Sequence, residues 1–115
     1  MLTHVLERGV LVLTVQDGLG SAEPNILARL ISDLVHVHAP TPVVVVLGTT
    51  ATTAVIAAVV RAYRLCSELD VLLSVAVPSA PARRTLRDQA AADGAGLVVH
   101  ARTDVAIATA YAAAA

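Results

Sequence analysis

Val43-Val44-Val45-Val46-Leu47 passes through Gly48-Thr49-Thr50-Ala51 into Thr52-Thr53-Ala54-Val55-Ile56-Ala57-Ala58-Val59-Val60-Arg61-Ala62. The first five residues are too uniformly apolar to have a wet face, which predicts a strand at the centre of a sheet. The segment after the hydroxyls is apolar on nearly all sides and predicts a helix from about Thr52 to Ser67. A strand that ends in hydroxyls at a helix start sets those oxygens beside unpaired backbone N–H groups and the positive end of the helix dipole. Such a place tolerates an anion, so a phosphate made on one of these threonines is stabilised where it forms. The same arrangement also describes an ordinary N-cap.

On either side of this passage, strand-like and helix-like segments alternate. Val10 to Val15 is rich in β-branched residues and bounded by Gly9 and by Asp17-Gly18-Leu19-Gly20, a strand signal. A shorter strand, about Thr3 to Glu7, pairs with it through the Arg8-Gly9 turn. The first helix opens at Ser21 or Ala22, with Glu23 and Pro24 in its first turn, and Ala39-Pro40-Thr41-Pro42 stops it. Its apolar positions Ile26, Leu27, Leu30, Ile31, Leu34 and Val35 recur at helical spacing. Val71 to Val77 predicts the next strand. A third helix covers about Ala82 to Ala92, with Arg83, Arg84, Arg87 and Asp88 facing water and Gly94 and Gly96 ending it. Leu97 to Val99 is a short strand, and Thr103 with Asp104 caps an alanine-rich helix to about Ala113. The expectation is an α/β fold of order ββαβαβαβα over residues 1–115, one domain, with a mixed, mostly parallel sheet covered by helices.

Composition excludes several classes of function. The formal net charge of −1 argues against a nucleic-acid binder, which is usually basic over one face. Hydrophobic residues make up 57% and mean hydropathy is +0.75. Yet the longest uninterrupted apolar stretch, Ala54 to Val60, is seven residues, against roughly 18 for a membrane span. Met1-Leu2-Thr3-His4-Val5-Leu6-Glu7-Arg8 lacks the basic start and apolar middle of a signal peptide, so a soluble cytoplasmic protein is expected. Cys66 is the only cysteine, which leaves no internal disulfide and no multi-cysteine metal site. His4, His36, His38 and His100 are scattered and read as surface or capping residues, not as a zinc set. There is no triad, no carboxylate pair in an evident pocket and no nucleotide loop, so neither enzyme chemistry nor a cofactor is expected.

The element order, with its hydroxyl-rich turn before the second helix, resembles the STAS domain (sulfate transporter and anti-sigma factor antagonist) over nearly the whole chain. Val10 to Val15, Asp17-Gly18-Leu19-Gly20 and Ser21-Ala22-Glu23-Pro24 occupy the places of that family's opening strand, Gly-x-Leu-Asp loop and helix start. Pro78-Ser79-Ala80-Pro81-Ala82-Arg83-Arg84-Thr85-Leu86 is similar to its Asn-Pro-Ser-Pro-x-Val-x-Arg-x-Leu region. Ala101-Arg102-Thr103-Asp104-Val105-Ala106-Ile107-Ala108 is similar to its closing helix start. In the family, the first hydroxyl after an aspartate accepts a phosphoryl group from a partner kinase that doubles as an anti-sigma factor. Thr52-Thr53-Ala54-Val55 stands at that motif, with Thr52 in place of the aspartate and no following glycine.

What the resemblance implies is a regulatory protein-binding module, an anti-sigma factor antagonist. Thr53 is the phospho-acceptor, with Thr52 as second choice. Thr49, Thr50, Thr52, Thr53 and Ile56 form the partner-binding surface for an anti-sigma kinase, which brings its own ATP. An alternative is a STAS-like structural subunit that is not phosphorylated and self-associates, motivated by the absent aspartate and the apolar Val55, Ile56, Val59 and Val60. A third is a small-ligand carrier or enzyme of flavodoxin-like fold, with its ligand near Thr49 to Thr53 at the strand C-termini.

Overall fold

A computed structural model describes residues 2–15, 24–48, 52–92, 94 and 96–114. The chain forms β1 (Leu2–Glu7), β2 (Val10–Val15), α1 (Pro24–His38), β3 (Val43–Val46), α2 (Thr53–Glu68), β4 (Leu73–Ala76), α3 (Ala80–Ala92), β5 (Val98–His100) and α4 (Thr103–Ala114). The five strands make one sheet in the order β1-β2-β3-β4-β5. β1 is antiparallel to β2, and the other three pairings are parallel. The fold is therefore α/β with a mixed, mostly parallel sheet and four helices. The expected onset of α1 at Ser21 or Ala22 and the Asp17-Gly18-Leu19-Gly20 loop fall outside the described residues. No described helix is long and apolar enough to cross a membrane.

The β1–β2 hairpin turns at Arg8 and Gly9, whose φ angles of 54° and 74° are both left-handed. Two such residues in a two-residue loop match the twist of the flanking strands. From β2 onward each strand steps to its next neighbour in the same direction. Because crossovers share one hand, the connecting helices land on one face. Leu11, Leu13, Val43, Val45, Leu73 and Val75 point there, packing with Leu27, Ile31 and Val35 of α1, with α2, and with Leu86 of α3. The alternate residues Val10, Val12, Val44 and Ala76 face the other way, under Ala106, Ile107 and Ala110 of α4. Small alanines on that helix let its backbone approach the sheet closely.

Three details differ from the sequence-based expectation. Ile26 and Leu30 of α1 are exposed while Leu27, Ile31 and Val35 are buried, so the inward stripe is narrower than the apolar spacing implies. Arg83 and Arg87 do not simply face water: Arg83 Nη1 donates to the carbonyls of Val77 and Pro78 at 2.9 and 2.8 Å, and Arg87 donates to that of Val99. Thr103 and Asp104 lie inside the first turn of α4. The carbonyl of the preceding Arg102 accepts the first helical bond, from Ala106. Asp104 accepts the Val105 amide at 2.9 Å and forms a two-bond ion pair with Arg102.

Candidate functional site

The passage from β3 to α2 lies in the middle of the molecule. β3 lies between β2 and β4, and the Leu47 amide extends its pairing by donating to the Ala76 carbonyl at 3.0 Å. Leu47 is buried and Gly48 half-buried, so the chain rises from the core toward the C-terminal edge of the parallel strands. At Thr52 the backbone is extended, with φ −84° and ψ 165°. Its hydroxyl accepts the Val55 amide at 3.3 Å and its carbonyl accepts the Ile56 amide at 3.0 Å. Thr52 is thus the N-cap, satisfying one of the four amides a helix start leaves open. Thr53 is the first helical residue, and both threonines are exposed. The first turn of α2 holds no acidic side chain, so no carboxylate there offsets the positive end of the helix.

Of the other residues expected at this surface, Thr49 and Thr50 lie outside the described residues. Ile56 requires a correction. It is 2% exposed and packed within the main core, out of reach of a partner. α2 is the central helix of a three-helix layer, with α1 on one flank, α3 on the other and the sheet beneath. That position explains why Val55, Ile56, Val59 and Val60 are all buried. The all-round apolar character of this helix serves intramolecular packing, and the self-association expected of it has no surface there.

The ends of α3 and α4 meet the same edge of the sheet, since each follows a parallel strand. Ser79 caps α3, its hydroxyl accepting the Ala82 amide at 3.3 Å and its carbonyl the Arg83 amide at 3.0 Å. Arg83 reaches back to the carbonyls beyond β4, which fixes α3 against that strand. The sequence signals Ser79 only by its place between two prolines. It gives no hint of Arg83's partners, which depend on how the strand and helix ends stack.

Elsewhere, burial pushes the Cys66 thiol up to about 11, and its side chain is sealed in the core, which keeps it protonated and unreactive. His36 Nδ1 lies 2.8 Å from the Ser32 carbonyl one turn earlier, a contact in which the ring N–H donates. The His4 and His38 rings are 6.2 Å apart. Among the described residues, no group of three or more His, Cys, Asp or Glu side chains is placed to hold a metal. A shallow depression of about 380 Å³, lined by Tyr63, Ser67, Asp70, Val71, Leu72 and Leu73, opens at the end of α2 opposite Thr53.

No family model, curated protein or solved structure matches the chain. The geometry around Thr52 and Thr53 therefore carries the functional reading, together with the sequence resemblance.

Proposed function

We propose that this protein is a binding module of the anti-sigma factor antagonist type, whose affinity for a partner is set by the charge on Thr53. The observation that carries the reading is the solvent-exposed Thr53 in the first turn of α2, beside a threonine already engaged as the cap. In this reading the partner is an anti-sigma kinase that docks over the α2 start and, when docked, releases a sigma factor. The kinase transfers the γ-phosphoryl group of its ATP to Thr53 Oγ1. The Oγ1–P bond forms as the bond to the β-phosphate oxygen breaks, the hydroxyl proton passes to a base of the kinase, and ADP leaves. The product carries about −1.5 to −2 charges. The helix start stabilises that charge in the free protein. At a docked surface the same charge is desolvated and disfavoured, so one modification releases the partner.

A calorimetric titration of a candidate anti-sigma kinase with wild type, Thr53→Glu and Thr53→Ser tests the docking half of the proposal. Wild type and Thr53→Ser bind alike, and Thr53→Glu binds at least tenfold more weakly, about 1.4 kcal/mol or more. Equal binding by all three removes Thr53 from the interface.

A further inference from the structure

The four histidines are scattered in the sequence, but the fold brings two of them together. In β1, Leu2, His4 and Leu6 pair with Val15, Leu13 and Leu11, whose side chains face the layer of α1, α2 and α3. His4 therefore points to the side of the sheet that α1 occupies. His38 is the last residue of α1. The two rings meet between strand and helix end, with centroids 6.2 Å apart and planes tilted by 51°. His4 is exposed and His38 half-buried, so the pair is open to solvent. Each side chain stands on a regular element, which holds the rings near this spacing.

That spacing suits a shared metal ion. An ion bound through one imidazole nitrogen lies about 2.0–2.1 Å from that atom, hence about 3.2 Å from the ring centre. Two rings on one ion then have centres at most about 6.4 Å apart, and about 5.3 Å at a tetrahedral angle. The observed 6.2 Å is inside the upper limit, and a χ2 rotation of the exposed His4 closes the remaining distance of about 1 Å. The surroundings favour a cation as well. His38 lies in the last turn of α1, at the negative end of its dipole. Neither Leu2 to Leu6 nor Val35 to Thr41 contains a lysine or arginine. The same two segments contain no carboxylate, so the protein donors are imidazoles, which suit Zn²⁺, Ni²⁺ and Cu²⁺ and not Mg²⁺ or Ca²⁺. His36 provides the contrast: its Nδ1 is engaged at 2.8 Å by the Ser32 carbonyl of its own helix.

We infer that His4 and His38 are the two protein ligands of a labile site for a borderline divalent transition ion of the Zn²⁺ class, with water completing its coordination shell. Among the described residues no third His, Cys, Asp or Glu joins them. The site therefore differs from a structural zinc centre, which four protein ligands close. Its ion exchanges with solution, and the fold does not depend on it. When bound, the ion ties the end of α1 to the edge strand β1, so it stabilises the folded chain by mass action. The inference is independent of the role of Thr53, which lies on a different helix.

Calorimetric titration of the untagged chain with Zn²⁺, and separately with Mg²⁺, tests it in wild type, His4→Gln, His38→Gln and His36→Gln. Wild type takes up one Zn²⁺ per chain with a dissociation constant below about 1 mM and takes up no Mg²⁺. His4→Gln and His38→Gln each raise that constant at least tenfold, His36→Gln leaves it unchanged, and all three melt like wild type without metal. A second readout needs no variant: on titration of wild type, the ring NMR signals of His4 and His38 shift together while those of His36 and His100 stay. A wild type that takes up no Zn²⁺ up to about 1 mM overturns the inference, as does equal uptake of Mg²⁺. So does uptake that His4→Gln or His38→Gln leaves intact, a loss as large on His36→Gln, or ring shifts that spare His4 or His38.

Discussion

The Thr52 hydroxyl accepts the Val55 amide at 3.3 Å, and this bond divides the labour between two adjacent threonines. One secures the start of α2; the other is left facing solvent at the positive end of the same helix. The capping role of Thr52 and the regulatory role proposed for Thr53 are therefore separable by substitution.

Thr52→Ala leaves the Val55 amide without its acceptor and lowers stability by about 1 kcal/mol. Thr52→Ser restores most of it. Thr53→Ala, at an exposed position without the capping bond, stays within about 0.5 kcal/mol of wild type. Urea denaturation of the three variants checks this, and a larger loss at position 53 than at position 52 reverses the assignment.

The two faces of α1 separate two isoleucines that look equivalent in the sequence. Ile31 is fully buried and Ile26 is about half exposed. Ile31→Ala costs about 2–5 kcal/mol through lost burial and a residual cavity. Ile26→Ala costs less than about 0.5 kcal/mol. Equal losses contradict the packing described for this helix.

Asp70 ends α2 in a left-handed conformation, φ 57°, where glycine is usual. The Val71 amide donates to the Cys66 carbonyl at 2.8 Å, closing the turn over the helix end. Asp70→Gly removes the side-chain penalty of that conformation and raises stability by about 0.5–1 kcal/mol. Thermal unfolding reads it as a higher midpoint; a lower one means the aspartate side chain contributes a bond that outweighs the strain.

Cys66 makes stability depend on alkaline pH. Burial raises its thiol from an ordinary 9.0 to about 11, so the folded state holds the proton more firmly than the unfolded one. The resulting stabilisation is fully present below about pH 9 and is lost as pH rises through about 11. Cys66→Ser, which titrates in neither state, loses less stability than wild type over this window. At pH 8 a thiol reagent reacts with wild type only on unfolding; immediate labelling of the native protein contradicts the burial.

Much of this architecture can be read from local chemistry. The valine run of β3, the Arg8-Gly9 turn and the threonine cap of α2 each act over a few residues, and each lies where the sequence places it. The features that escape are those set by neighbours distant in the chain. α2 looks like a surface helix with an unusually wide apolar face until α1 and α3 are placed on both of its flanks, which removes Ile56 from any partner surface. Ile26 and Leu30 share helical periodicity with the core residues of α1 and lie outward because α1 is an outer helix of its layer, flanked by α2 on one side. Arg83 finds the carbonyls beyond β4 only once strand and helix ends stack. At the candidate site, Thr52 as cap is legible from the hydroxyl before an apolar helix; the exposure of Thr53 follows from the direction in which the helix leaves the sheet.

The most direct measurement is the intact mass of the chain after incubation with a candidate anti-sigma kinase and ATP, for wild type, Thr52→Ala and Thr53→Ala. One phosphoryl group is expected on wild type and on Thr52→Ala, and none on Thr53→Ala. An unmodified wild type across candidate kinases, or equal modification of Thr53→Ala, contradicts the account.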